Sequence, residues 1–219
     1  MLKALVFDFD GLIIDTETPW YEAFVDVYGE YGAVLPLELY VKCVGTDSQA
    51  FHPRKYLEQC IGGPVDDGAF QEQTLARHAA RMKERTINPG VLELLQAARA
   101  AGLKIGLASS SERAWVVGFL EQLNLLPFFD TIRTRDDVSV VKPAPDLYLR
   151  VLADFGISGA EAVAFEDSPN GARAAKAAGL FCVIVPAGVT KDLVFAGHDL
   201  RVASLAEVSP ARLRQEFGG

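Results

Sequence analysis

Short apolar runs alternate with amphipathic stretches through most of the chain after residue 87. Apolar runs bounded by turn residues are typical of buried strands, and apolar residues recurring every three or four positions are typical of helices. The predicted strands cover residues 104–108, 131–134, 162–165 and 181–186. The predicted helices cover residues 89–101, 112–122, 145–155 and 170–178. This alternation predicts a parallel sheet with helices on both of its faces.

One more predicted strand begins the chain at residues 4–8, and a long stretch without a convincing strand follows it. The apolar residues that recur at helical spacing there are Trp20, Phe24, Val27, Tyr28 and Tyr31. Further helical patterns cover residues 49–61 and 67–85. We therefore expect an α/β fold with a doubly wound parallel sheet and an inserted helical unit. Its predicted parts are a Rossmann-like core, residues 1–15 and 87–219, and a helical cap, residues 16–86.

The first predicted strand ends in two acidic residues, Asp8 and Asp10, with Phe9 between them. Side chains alternate along a strand, so both carboxylates are expected on the same side of the sheet. A buried charge without a partner is costly and two like charges repel, and a hard cation such as magnesium relieves both problems. The alternative is a simple Asp-Gly turn at Asp10 and Gly11, which leaves Asp8 unexplained.

Three other polar groups lie near the ends of predicted strands: the serines 109–111, Lys142, and Glu166 with Asp167. In open sheets of this kind, ligands bind at the carboxyl ends of the strands. Each group has a simpler alternative, namely a serine or acidic cap of the following helix, or a solvated lysine. Together they suit phosphoryl transfer, in which one carboxylate attacks phosphorus, another handles protons, and hydroxyl and ammonium groups hold the negative charge.

These groups match, in order, four motifs of the haloacid dehalogenase-like superfamily, which the chain resembles over its whole length. The matching residues are Asp8-Phe9-Asp10-Gly11, Ser109, Lys142 and Glu166-Asp167. Within the superfamily the chain is similar to the subgroup that contains beta-phosphoglucomutase and many phosphatases of small metabolites. The resemblance implies a helical cap, Mg²⁺ as the cofactor and an aspartyl-phosphate intermediate.

The resemblance also implies the residues that hold the metal and perform the chemistry. Asp8 would be the nucleophile and a magnesium ligand. Asp10 would be the acid/base and would bind magnesium through its backbone carbonyl. Asp167, with Glu166 beside it, would complete the metal site.

Phosphate and substrate contacts are implied in the same way. Ser109, with Ser110 beside it, would hydrogen-bond the phosphate, and Lys142 would pair with both Asp8 and the phosphate. The candidate substrate contacts in the cap are Thr16, Trp20 and Thr46. Trp20 also has a plainer explanation, because an aromatic residue at helical spacing often packs in a core.

The cap positions favour a phosphatase over a sugar phosphomutase. Beta-phosphoglucomutases use a histidine, an arginine and a lysine at positions that match Trp20, the vicinity of Ser48, and Gln71 here. A second phosphate is dianionic and needs a cation, which these positions lack. The basic residues that could substitute are Arg54, Lys55 and Arg77. The mutase and a catalytically silent binding protein on the same fold therefore remain alternatives.

Composition limits the binding partners and the cellular compartment that we expect for the protein. The net charge of −8 argues against nucleic acid or an anionic membrane surface as a partner. Three separated cysteines suggest neither a disulfide framework nor a zinc site, and the first residues do not resemble a signal peptide. We expect a monomeric cytoplasmic protein that acts on a small phosphorylated metabolite. We also expect a hinge where the chain crosses into and out of the cap.

Overall fold

The structure is a computed structural model that describes residues 1–42, 44 and 51–217. Six parallel strands form one sheet in the order β3-β2-β1-β4-β5-β6. The strands are β1 (Ala4–Phe7), β2 (Lys104–Ala108), β3 (Thr131–Arg133), β4 (Ala162–Glu166), β5 (Phe181–Ile184) and β6 (Leu200–Arg201). The helices are α1 (Glu17–Glu30), α2 (Leu37–Tyr40), α3 (Pro53–Ile61), α4 (Asp67–Met82), α5 (Val91–Ala100), α6 (Arg113–Gln122), α7 (Asp146–Phe155), α8 (Pro169–Ala177) and α9 (Pro210–Phe217). The predicted α/β fold class is confirmed.

The first strand lies at the centre of the sheet, although a long insertion separates it from the other strands in sequence. Leu5 of β1 is in register with Ile105 of β2 and with Val163 of β4. Leu5 and Phe7 pack in the apolar cluster on one face of the sheet, and Ala4 and Val6 pack in the cluster on the other. The period of two along β1 thus fills both cores and brings the residues after Phe7 to the middle of the carboxyl edge.

Most predicted elements are present, and their ends differ for local reasons. The helix predicted over 67–85 ends at Met82, because the chain then turns so that Arg85 pairs with Asp15 at 3.1 Å. The helix predicted over 49–61 begins at Pro53, which occupies its first position, while residues 49 and 50 lie outside the described part. Helices α2 and α9 and the two-residue strand β6 were not predicted.

Helices α1 to α4, here called the helical insert, share an apolar cluster, to which Val189 after β5 also belongs. Val27, Tyr28, Leu57 and Phe70 are buried in it. Among the described residues of 16–86 there is no strand, in agreement with the sequence pattern. That residues 16–86 form a separate domain stays a prediction. Across the described part of the chain, every helix is too short or too polar to cross a membrane.

The two chain crossings between the helical insert and the sheet run side by side. Ile14 and Ile87 form an antiparallel bridge, and the backbone N–H of Asn88 donates to the carbonyl of Ile13 at 2.8 Å. The Asn88 side-chain amide donates to the carbonyl of Gly11 at 2.9 Å. Because the first crossing directly follows β1, these bonds tie the insert to the loop that carries Asp10.

Candidate active site

A buried lysine joins two of the four predicted acidic residues at the carboxyl edge. The Lys142 ammonium lies 2.7 Å from Asp8 Oδ1 and 2.8 Å from Glu166 Oε1, and the residue is only 3% exposed. The hydroxyl of Tyr148, on α7, also donates to Glu166. A buried ammonium between two carboxylates is an ion-pair network, so the alternative of a solvated Lys142 is wrong.

Burial and mutual repulsion shift the pKa values of these groups. Burial, and after it the charge of Glu166, raises the pKa of Asp8 to about 7, while Lys142 acts in the opposite direction. Burial, and after it the charges of Asp8 and Glu166, holds the pKa of Asp167 well above its usual range. Burial lowers the pKa of Lys142, but the two carboxylates outweigh it and leave that pKa above its usual value. The site therefore carries more negative charge than one ammonium can neutralise.

Three carboxylates converge where a cation could sit. Oxygen atoms of Asp8, Glu166 and Asp167 lie within 4.8 Å of one another. Oε2 of Glu166 is buried and has no hydrogen-bond partner among the described residues. A set of carboxylate oxygens with an unsatisfied member suits a hard divalent cation. The residues present therefore fit the metal that the sequence predicted.

Two glycines leave room for this cluster. A Cβ at Gly171 would lie 1.8 Å from Oε2 of Glu166, and a Cβ at Gly11 would lie 2.0 Å from Oδ2 of Asp167. Gly11 also has a φ of +77°, which other residues rarely adopt. The cap of α8 is Ser168, whose hydroxyl accepts from the N–H of Gly171 at 3.0 Å. Glu166 and Asp167 are thus not helix caps and stay free to face the cluster.

Asp10 is held separately from this cluster. The hydroxyl of Ser111 donates to its Oδ2 at 2.6 Å, and the indole Nε1 of Trp115 donates to its Oδ1 at 3.0 Å. The Ser109 hydroxyl approaches Oδ2 at 3.4 Å and accepts from the N–H of Ser111 at 3.0 Å. Burial raises the pKa of Asp10 above its usual value.

The predicted alternative of a serine cap for α6 is wrong, because its cap position is Glu112 and the N–H of Arg113 donates to the Asp136 carboxylate at 2.7 Å. Ser110 Oγ is buried without a hydrogen-bond partner among the described residues. Since Ser110 lines the same cavity as Asp8, its hydroxyl is available to a bound group. Ser109 is fully buried and does not line that cavity.

A cavity of about 370 Å³ opens onto these groups from the side of the helical insert. The predicted site residues that line it are Asp8, Asp10, Thr16, Trp20, Ser110, Lys142 and Asp167. Trp20 also packs against the apolar cluster of the insert, as its plainer explanation predicts, and a substrate contact by Trp20 stays a prediction. Thr46 lies outside the described residues. The volume and the mixture of polar and aromatic walls suit one small polar metabolite.

Other residues that were not predicted also line the cavity, among them Glu17, Trp115 and Arg135. Glu17 accepts from the hydroxyl of Tyr40 at 3.1 Å, and burial, followed by the charge of Asp10, raises its pKa to about 8. Arg135 is exposed and makes no ion pair within the part of the chain that the structure describes. Each of these two had a local signal, since Glu17 follows Thr16 directly and Arg135 follows the strand predicted over residues 131–134.

The basic residues proposed for a second phosphate lie elsewhere. Arg54 pairs with Glu58 at 2.5 Å and with Asp67 at 2.9 Å. Arg77 pairs with Glu30, and Lys55 lines a different cavity. These three cations are therefore engaged or distant, and the expectation that one of them reaches the site is not met.

Comparison with known proteins adds to this geometry. The sequence profile described as haloacid dehalogenase-like hydrolase matches residues 5–185. The protein named "Putative phosphatase YhcW" from Bacillus subtilis is 49% identical over 213 residues, which cover 97% of this chain and 96% of that protein. Hexitol phosphatase B from Escherichia coli is 32% identical, with 95% of each chain covered. The structure of a CbbY mutant from Rhodobacter sphaeroides with xylulose-(1,5)bisphosphate is similar with a TM-score of 0.74 at 28% identity, covering 94% of this chain and 96% of that one.

Proposed function

Because the chain belongs to the haloacid dehalogenase-like hydrolase family and is a phosphatase, we propose that it hydrolyses the monoester of a small phosphorylated sugar or polyol. In this proposal the reaction depends on Mg²⁺ and passes through an aspartyl phosphate on Asp8. The observation that carries it is the buried contact between Asp8 and Lys142 at 2.7 Å, at the end of a cavity that reaches solvent.

Asp8 is the proposed nucleophile. Its carboxylate oxygen forms a bond to phosphorus while the bond from phosphorus to the ester oxygen breaks. Lys142 favours the ionised form of Asp8 and neutralises part of the charge on the transferring group. Its ammonium is already in place before substrate arrives, so little reorganisation is needed.

Asp10 is the proposed acid and base. It gives a proton to the departing ester oxygen, and it takes a proton from the water that then attacks phosphorus and releases phosphate. Burial raises its pKa, which favours the protonated form needed for the first step. Since two donors hold its carboxylate, it is oriented rather than free to rotate.

The residues that would hold Mg²⁺ are Asp8, Glu166 and Asp167, with the backbone carbonyl of Asp10. When bound, the ion supplies positive charge against the phosphoryl oxygens. Lys142 and Tyr148 both contact Oε1 of Glu166 and so hold that side chain in position. The unpaired oxygen of Glu166 is the one available to a cation.

The substrate class is proposed from the walls of the cavity. Trp20 and Trp115 line the cavity with aromatic rings that are themselves stacked on His78, and Glu17 and Ser110 offer hydrogen-bonding groups, a combination that suits a carbon chain bearing hydroxyls. The names of the relatives, a hexitol phosphatase and a protein in complex with xylulose-(1,5)bisphosphate, support the same class.

A sugar phosphomutase is the second candidate, and Arg135 is the observation that favours it. Arg135 lines the cavity without an ion pair among the described residues, so a second phosphate would find a cation there. However, the helical insert supplies none of the three cations considered above, and Trp20 occupies the position expected for a histidine. We therefore place hydrolysis first.

A screen of phosphorylated sugars and polyols tests the proposal. Release of inorganic phosphate is measured with Mg²⁺ and with a chelator, beside formation of glucose 6-phosphate from glucose 1-phosphate and its bisphosphate activator. We expect magnesium-dependent phosphate release to exceed isomerisation. Isomerisation with negligible phosphate release would establish the mutase, and inactivity on every ester would favour a silent binding protein.

A further inference from the structure

Trp115 lies outside the groups that hold metal and phosphate, yet it contacts the proposed acid directly. Its indole Nε1 donates to Asp10 Oδ1 at 3.0 Å, while Ser111 holds Oδ2 at 2.6 Å. Trp115 is on α6, and Ser111 is in the turn that precedes this helix. A carboxylate with one strong donor on each oxygen has its plane fixed, because rotation would break both bonds.

The same indole ring is one end of an aromatic stack that crosses to the helical insert. Its ring centroid lies 5.8 Å from that of His78, at an interplanar angle of 28°. His78 in turn stacks on Trp20, with centroids 3.8 Å apart and an angle of 12°. His78 is on α4 and Trp20 is on α1, so the stack connects two helices of the insert to the indole that binds Asp10.

Packing around the stack leaves it little freedom. Phe119 contacts the other side of Trp115, with centroids 4.7 Å apart, and Phe24 continues the stack beyond Trp20 at 5.9 Å. His78 is 3% exposed. The position of the indole therefore depends on neighbours from both the sheet side and the insert side.

We propose that Trp115 is a positioning residue that orients Asp10 toward the leaving oxygen, and that the stack of Trp20, His78 and Trp115 ties this orientation to the helical insert. The inference rests on the proposed function, since it assigns Asp10 the role of acid. It adds a residue that no motif of the family contains. General acid catalysis accelerates a reaction about 10²–10⁴-fold and depends on the geometry of the proton donor. An acid that is less firmly oriented should therefore keep only part of this rate acceleration.

Two aryl esters of nearly equal shape separate positioning from general damage. Phenyl phosphate needs a proton on its leaving oxygen, whereas the leaving group of 4-nitrophenyl phosphate departs with little help. The variant Trp115→Phe keeps an aromatic ring and loses the Nε1 donor. We expect kcat/KM to fall about tenfold for phenyl phosphate and about twofold or less for 4-nitrophenyl phosphate.

The ratio of the two kcat/KM values is independent of how much protein is folded, because unfolded enzyme lowers both equally. Phe119→Leu is the matched control, since it replaces a ring in contact with Trp115 by another apolar side chain, while the indole keeps its Nε1 donor and its stack on His78. We expect an unchanged ratio for this control. Equal losses on both esters with Trp115→Phe, or no loss on either, would overturn the positioning role.

His78 tests the second half of the inference. His78→Ala removes the middle of the stack, whereas His78→Phe keeps a ring there. We expect His78→Ala to show the selective loss on phenyl phosphate and His78→Phe to restore the wild-type ratio. A wild-type ratio in His78→Ala would show that the stack does not act on Asp10.

Fluorescence gives a readout apart from activity. Trp20 and Trp115 are the two tryptophans of the chain, so their emission reports the stack alone. We expect the emission maximum to shift to longer wavelength in His78→Ala and to shift little in His78→Phe. Unchanged emission in both variants would contradict the proposal that the stack connects Trp115 to the helical insert. A wild-type enzyme inactive on both aryl esters and on every sugar and polyol phosphate would instead overturn the proposed function, which is a different result from equal losses.

Discussion

At the scale of single residues, Asp8 carries the central prediction. The variant Asp8→Asn removes the nucleophile and almost no volume, so we expect turnover to fall on the order of 10⁴-fold. Without metal the melting temperature should rise, because repulsion with Glu166 and Asp167 decreases and a costly buried charge disappears. Phosphate-release assays and thermal melts in a chelator measure both effects. Near-normal turnover, or loss of the fold, would contradict this account.

His78 gives a pH prediction at the same scale. Burial lowers its pKa from 6.5 to about 4 in the folded chain. As the pH falls through 6.5, the unfolded chain takes up the proton before the folded chain does. The wild type therefore loses stability between pH 6.5 and about 4, and His78 causes no further loss at lower pH. His78→Phe cannot titrate. In thermal melts, the melting temperature of the variant should therefore rise relative to that of the wild type as the pH falls from 7 to 4.5. A constant difference between the two melting temperatures would refute the lowered pKa of His78.

Single residues also mark the limit of prediction from sequence. Asp8 was predictable because a buried strand ends beside it. Lys142 was predictable because it lies in a sequence motif. Trp115 reaches the cavity only through the docking of α6 on the sheet, which no local pattern records. The same limit applies to Arg54 and Arg77, because each pairs with an acidic residue on another helix. Arg54 pairs with Asp67 on α4, and Arg77 pairs with Glu30 on α1.

At the scale of elements, the start of α8 is built closely around Glu166. Gly171→Ala would place a methyl group 1.8 Å from Oε2 of Glu166. We expect a loss of stability of about 1–3 kcal/mol and a large loss of activity, because the carboxylate must move. Chemical denaturation and phosphate-release assays measure the two effects.

Gly118, exposed in α6, is the matched control for that variant. Nothing lies within 4 Å of where its Cβ would be. Gly118→Ala should therefore stabilise the protein by about 0.5–1 kcal/mol through helix propensity and leave turnover unchanged. Similar effects of both variants would mean that crowding at Glu166 is not the cause.

Long periodic elements were predictable and short ones were not. Strand β2 was predicted to the residue, since its apolar run is bounded by a charged residue and a serine turn. Strand β6 has two residues and α2 has four, too few for any period to appear. That β1 joins the sheet was predictable, because a parallel sheet must accommodate the strand that precedes the insertion, whereas its central position is seen only in the structure.

At the scale of the whole molecule, the paired crossings at Ile14 and Ile87 suit a hinge between the helical insert and the sheet. We predict that the insert opens in the free protein and closes over a bound phosphate group. Solution scattering should give a smaller radius of gyration with Mg²⁺ and beryllium fluoride than without them. Identical profiles would indicate a fixed insert.

The most direct test of the whole account is to trap the phosphorylated enzyme. The protein is mixed with substrate and Mg²⁺, quenched in acid within the first turnover, digested at low pH and analysed by mass spectrometry with fragmentation. We predict one added phosphoryl group on Asp8, absent from Asp8→Asn and from samples with a chelator. Phosphate release without any phosphorylated peptide, or a phosphoryl group on another residue, would contradict the account.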